Sequence, residues 1–393
     1  MTVTICTWQG AMQALRAPDL RQALYDAGEK VMKDALITLH GDVHRQRRVI
    51  EMGVFGRGFF RAYVRDVFAP NLEQLLQPAI TGGCAEVIEL GYRLSMNITA
   101  DFAGIDRPLG ATEETEALLK LVKTFSEGAT LVHSTRDHAQ VNAEVDAAMV
   151  EFEQRFFRPS LERRRLLVAT AAREQLPRDV LTTLLLQGAK LPLSDEVLRR
   201  EMSFFLQAGA HSTTNSTAHA LHEIYIWAGE DTGRWDRLRH PVFVQRCVHE
   251  SLRLHPASPV AWRRAVASCP LHDTKVEAGE QVEIHLLDAN RDPAVFGANA
   301  NRFDPDRIVP ADVWPWGLSF GYGTHACLGR DLDGGIVAKD SGDDPHYGTV
   351  PLLVHALLEA GARPDPSDPA VIDTQNVRRN WARYPLRFSG NLK

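Results

Sequence analysis

Ten residues toward the C-terminal end carry the densest chemistry in the chain: Phe320-Gly321-Tyr322-Gly323-Thr324-His325-Ala326-Cys327-Leu328-Gly329. Two glycines let the backbone turn tightly, and a cysteine follows just before a helix start expected at Leu328-Gly329-Arg330. A thiol at a helix N-terminus faces backbone N–H donors and the positive end of the dipole, which stabilise its thiolate. Such a thiolate suits the axial position on a haem iron, where it pushes electron density toward O–O cleavage. Gly329 leaves room for the backbone to approach a flat macrocycle. A single cysteine is more often a buried structural residue in a turn, and residue types alone leave both readings open.

The whole string matches Phe-Gly-x-Gly-x-His/Arg-x-Cys-x-Gly at every fixed position, and so resembles the cysteine signature of cytochromes P450. The resemblance implies haem b (iron protoporphyrin IX) with Cys327 on the iron, His325 on a propionate, and Phe320 and Gly329 among the cofactor contacts. Three further segments fall in the family's order. Glu250-Ser251-Leu252-Arg253 matches Glu-x-x-Arg, whose ends share a helix face at i, i+3. By resemblance, Glu250 and Arg253 are a buried structural pair; by themselves they read as an ordinary surface ion pair. His44 and Arg48, at i, i+4, can reach one carboxylate and resemble the family's propionate clamp, against the plain reading of an exposed basic helix. Arg263 stands where the family places another propionate ligand, with Arg264 the adjacent alternative. Phe303-Asp304-Pro305-Asp306-Arg307 resembles the segment before the haem loop. The likeness runs from about residue 5 to the C-terminus.

The chain departs from the family pattern in three places. Where an acid–alcohol pair is expected beside the oxygen site, it reads Ala208-Gly209-Ala210-His211-Ser212-Thr213-Thr214-Asn215. This puts His211 at the acid position and Ser212 at the alcohol, or Ser212 and Thr213 if the match slips by one. A histidine titrates near neutral pH and can replace a carboxylate as proton donor. Alternatively, it points away to a backbone carbonyl and leaves Ser212 or Thr213 to act with water. The small residues Ala208-Gly209-Ala210 also suit a local opening of the helix. After the cysteine, turn formers interrupt the expected helix, so an inserted acidic loop is expected at about 333–350. His44 also lies nearer the start than is usual in the family.

Helices must position these groups. Ala85 to Ser95, Thr115 to Phe125 and Val145 to Phe156 show helical spacing of apolar residues. Ser194-Asp195-Glu196 is a helix start, and Gly229 a stop, bounding one long helix to about Trp227. Strand signals are few and late: the alternation from Gln281 to Leu286, and a short run from Trp381 to Phe388. The expected fold is therefore mainly α: a helix-rich single domain over 1–393 with small β-sheets, and by resemblance the cytochrome P450 fold with its long central helix over the haem.

Formal net charge is −6, with no long run of one sign. The cluster Arg163-Arg164-Arg165 reads as an exposed helix face, which argues against nucleic-acid binding. Five scattered cysteines form no C-x-x-C pair and fit a reducing compartment. No apolar stretch approaches the ~20 residues that span a bilayer, and the first residues lack a signal peptide's pattern, so a cytoplasmic protein without membrane contact is expected. The resemblance implies a monooxygenase drawing electrons from NAD(P)H through a ferredoxin or flavin-type donor and oxidising an apolar small molecule. Family position suggests Phe204, Phe205, Ala208, Val260, Trp262 and Trp381, with Asn380 beside it, around the substrate. The unusual acid position keeps two rivals open: a peroxide-dependent peroxygenase or dehydratase on the same fold, and a non-catalytic haem- or ligand-binding sensor.

Overall fold

The computed structural model describes residues 2–107, 112–271, 274–337 and 346–388. One unbroken helix of 34 residues, Asp195–Ala228, runs through the interior. Ser194 starts it by accepting from the Val197 N–H, acids fill its first turn, and Gly229 ends it at φ 49°. Buried residues occupy successive positions from Thr213 to Leu221, so the helix is enclosed on all sides there rather than amphipathic. Its main neighbour is Val87–Ala103. Between them a Cβ on Gly209 would lie 2.6 Å from Thr99 Cγ2. That glycine therefore serves helix packing, and the helix continues through Ala208–Ala210 without the expected opening.

The other patterned segments form Thr112–Ala129 and His138–Phe152, the latter continuing through a wide turn at Glu153–Phe157 into Arg158–Thr170. The arginine cluster on that last helix is not wholly exposed. Arg164 is buried, donating to Asp179 at 2.9 Å and to Asp106 at 2.8 Å.

A four-stranded sheet has the order Thr2–Ile5, Gln281–His285, Val260–Ala265, Leu20–Gln22, in which only the first pairing is parallel. Its two early strands are three and four residues long, too short for a legible alternation. The strand from Gln281 ends at His285, because Leu286 already begins a helical turn. The run from Trp381 to Phe388 is two strands, not one. Trp381–Arg383 pairs with Val371–Ile372, whereas Pro385–Phe388 joins Cys84–Glu86 and Ala362–Pro364. Pro385, with no N–H to donate, stands at the first position of the second strand, where proline is tolerated.

After the cysteine the chain makes only a four-residue helix, Arg330–Asp333, and long helical structure resumes at Thr349–Glu359. Between them the chain leaves and returns at one point, with Ile336 N donating to His346 O at 2.8 Å. The Gln245 amide faces the carbonyls of Gly334, Ile336, His346 and Tyr347 at 3.1–3.4 Å. Residues 338–345, the middle of the expected insertion, lie outside the described residues. Among the described residues no helix is long and apolar enough to cross a membrane.

Candidate active site

The cysteine loop depends on its glycines. Gly321 and Gly323 adopt φ 65° and 67°, and a Cβ at Gly323 would sit 2.9 Å from Leu15 O. The Cys327 N–H closes the loop on Phe320 O at 2.8 Å. The sulfur is exposed, but to an internal cavity of about 340 Å³. The short helix after it begins at Arg330, so its dipole does little for the thiolate. Burial instead pushes the thiol up to about 11, assisted by the nearby Asp333 carboxylate, while a Gly329 N–H bond and the charges of Arg48 and Arg330 pull it down. The expected thiolate stabilisation is therefore outweighed in the chain by itself.

Basic groups, three of them charged arginines, converge on the same cavity from four parts of the chain. His44 and Arg48 come from the helix Gly41–Glu51, Arg263 from the sheet, His325 from the cysteine loop, and Arg378 from the irregular stretch before Asn380. The His44 and His325 rings lie 4.3 Å apart between centroids. Among the described residues neither ring nitrogen of His44, nor Nδ1 of His325, nor Nε of Arg378 has a hydrogen-bond partner. Arg48 donates to Ala326 O at 2.5 Å, and Arg263 donates to Gln22 Oε1 at 2.8 Å and Trp262 O at 3.0 Å. Among the described residues no carboxylate forms an ion pair with Arg48, Arg263 or Arg378. Burial lowers Arg263 and Arg378 to about 10. Burial, then Arg48, lowers His44 to about 4; burial, then Arg263, lowers His325 to about 2.

Buried cations without anions are costly, and these define a receptor for a ligand carrying carboxylates. Gly329 adds a matching feature: a Cβ there would meet nothing within 4 Å, leaving open space beside the sulfur. A thiol, open space beside it and a rim of arginines and histidines together fit a haem with its two propionates. Arg264 does not share in this rim. It turns outward to the Gly279 carbonyl and Asp26. Arg378, absent from the sequence reading, belongs to no periodic segment, and its only signal was a pair of arginines beside Asn380.

His211, Ser212 and Thr213 all line the cavity. His211 Nδ1 lies 2.8 Å from Tyr92 Oη, and Asn380 Nδ2 donates to its Nε2 at 3.0 Å. With Nε2 accepting, the network assigns the proton to Nδ1, which donates to Tyr92. Burial, then Arg378 and His133, holds the ring neutral, with its pKa lowered to about 3. The ring thus bonds two side chains rather than a backbone carbonyl. Ser212 Oγ donates back to Ala208 O at 2.7 Å. Thr213 Oγ1 donates to Asp333 Oδ1 at 2.6 Å, and burial raises that carboxyl to about 6. Tyr92 and Asp333 gave no sequence signal, since the first looks like core and the second like a turn.

Phe204, Phe205, Ala208 and Val260 line the cavity, as do Phe55 and Phe102. Phe55 stacks on Phe102 and Phe205 with centroids 5.6 and 5.7 Å apart. Trp262 and Trp381 do not line it. Strand alternation turns Ala261 and Arg263 inward and Trp262 away, and Trp381 packs instead on His222 and Tyr384 at 4.8 and 5.1 Å. Glu250 and Arg253 are buried and joined by two bonds of 2.7 and 2.8 Å. Arg307, from the segment before the cysteine loop, also donates to Glu250 at 3.0 Å.

Comparison with known proteins identifies the class that this fold and site define. The Cytochrome P450 family profile matches residues 226–332, the stretch that includes the buried pair and the cysteine loop. A steroid C26-monooxygenase of Mycobacterium tuberculosis is 26% identical over 340 residues, covering 83% of this chain and 81% of that protein. Cytochrome P450 119 of Sulfurisphaera tokodaii is 31% identical over 137 residues, 34% of either chain. Among solved structures, CalO2 superposes with a TM-score of 0.76 at 19% identity, covering 98% of this chain and 90% of that one. CYP109E1 from Bacillus megaterium, in complex with corticosterone, gives 0.74 at 19% identity over 98% and 92%. In profile, relatives and fold the chain is similar to cytochrome P450 monooxygenases.

Proposed function

We propose that this chain is a haem-thiolate monooxygenase that inserts one atom of O2 into an apolar small molecule. Electrons would come from NAD(P)H through a ferredoxin or flavin-type donor. The observation that carries this reading is the Cys327 sulfur opening onto a cavity lined by Arg48, Arg263 and Arg378, which among the described residues form no ion pair with a carboxylate. Cys327 would ligate the iron of haem b, while His44, Arg48, Arg263, His325 and Arg378 would hold its propionates. Bound there, the haem supplies oxygen activation. Phe55, Phe102, Phe204 and Phe205 form an apolar wall that receives substrate and excludes water. His211, Ser212 and Thr213, which line the cavity, would handle oxygen and protons. The steroid-oxidising relative and the corticosterone-bound neighbour support a polycyclic, apolar substrate.

The test is the absorption spectrum of the dithionite-reduced protein with carbon monoxide, for wild type and Cys327→Ser. A strongly red-shifted Soret band, abolished by the substitution, is expected; a histidine-like band in wild type would overturn the ligand assignment. The neutral, doubly bonded His211 favours a second reading, peroxide-driven oxygenation on the same fold. Turnover with H2O2 but not with O2 and a reductant system would select it.

A further inference from the structure

A second group of ligating side chains stands at one end of the four-stranded sheet, outside the cavity. Thr2–Ile5 runs parallel to Gln281–His285 with Ile5 opposite Ile284, so Cys6 and His285 come side by side. His285 then leads into the helical turn Leu286–Ala289, which presents Asp288 three residues on. One ligand atom from each of Cys6, His285 and Asp288 lies within 4.8 Å of the other two.

Two details go beyond proximity. His285 Nδ1 lies 3.3 Å from Asp288 Oδ2. That matches the edge of about 3.3 Å expected when a nitrogen and an oxygen share one tetrahedral ion at about 2.0–2.1 Å. The opposite nitrogen, Nε2, faces Glu283 Oε2 at 3.9 Å. At that distance the two face each other without a hydrogen bond, and a small side-chain shift would bring the carboxylate into the contact that orients a ligating histidine. Cys6 and Asp288 are exposed and His285 is half-buried, so an ion in solution can reach all three. Sulfur, nitrogen and oxygen with a fourth position open to water suit a borderline-soft tetrahedral ion and not Mg²⁺ or Ca²⁺.

We propose that Cys6, His285 and Asp288 form a surface site for a Zn²⁺-type divalent cation, with Glu283 positioning the imidazole. The ion joins the residue after the first strand to the end of its partner strand. The next residue, Leu286, lines the cavity, so the ion would stiffen that stretch of wall from outside.

The test uses tag-free, haem-loaded protein stripped with EDTA and titrated calorimetrically with Zn²⁺, with zinc per chain measured after desalting. One Zn²⁺ per chain is expected, bound at least tenfold more weakly by Cys6→Ser and by His285→Ala. Glu283→Gln should weaken it about 10- to 100-fold, and Cys84→Ser, which removes another exposed cysteine, should leave it unchanged. Co²⁺ in place of Zn²⁺ should add a thiolate-to-metal absorption in difference spectra that Cys6→Ser loses. Less than a tenth of an equivalent of zinc, or equal binding by wild type and both ligand variants, would overturn the site. An unchanged Soret band and circular dichroism spectrum show that each variant is folded, and the carbon monoxide experiment remains independent of the outcome.

Discussion

His211 shows how far neighbours decide the work of one side chain. Exposed, an imidazole takes up a proton near neutral pH; buried between Tyr92 and Asn380, this one stays neutral. Both partners can donate to a carboxylate, and Arg378 lies close enough to act on the ring electrostatically. His211→Asp is therefore accommodated, and it supplies a carboxylate at that position. Positioned acid groups contribute about 10²–10⁴-fold where proton transfer limits. A rise of about two- to tenfold in product formed per NAD(P)H consumed is expected, since only part of the flux waits on that step. An unchanged ratio would remove His211 from proton delivery.

At the scale of elements, Arg253 is a junction. From the helix Pro241–Leu254 it donates twice to Glu250 and also to the carbonyls of Asn290 and Ala300, at 2.7 and 2.8 Å. Arg307 meets the same glutamate, so one buried carboxylate ties the helix to the segment leading toward the cysteine loop. Arg253→Met keeps the volume but strands two carbonyls and half of the charge pairing. Breaking a buried pair from one side costs about 3–5 kcal/mol. Chemical denaturation should show a loss of that size, and a change below about 1 kcal/mol would mean the junction is not structural. The glutamate and arginine were legible as a motif, and Arg307 as part of a separate segment; their meeting, and the carbonyls, were not, because these groups come from stretches distant in sequence.

For the whole molecule, the histidines dominate the response to acid. Burial is the largest cause of lowering for His44, His133, His211, His219, His222, His249, His325 and His346. A histidine so lowered takes up its proton more readily when unfolded, below about 6.5, so acid favours the unfolded chain by up to about 1.4 kcal/mol per pH unit for each one held neutral in the fold. The raised carboxyls of Glu51, Asp179, Glu201 and Asp333 act in the opposite sense but are fewer. Stability should fall by about 1–3 kcal/mol between pH 7 and pH 6, read from guanidinium midpoints on haem-free protein. A flat profile would mean that the histidines are hydrated. Haem addition should blunt the fall if the proposed propionate sites hold, since a propionate beside His44 or His325 would favour its charged form.

Local features were legible because their causes are local. The cysteine string, the Ser194 cap, the Gly229 stop and the Glu250–Arg253 spacing act through neighbours a few residues away, where backbone geometry and dipoles are set by the chain itself. The choice of Arg263 over Arg264 needed the sheet, since only pairing decides which side chains face inward. Arg378 on the rim, Asp333 under Thr213, and Cys6 beside His285 needed the closed fold. Those contacts exist because burial of apolar surface brings distant segments together, and no spacing along the chain records that.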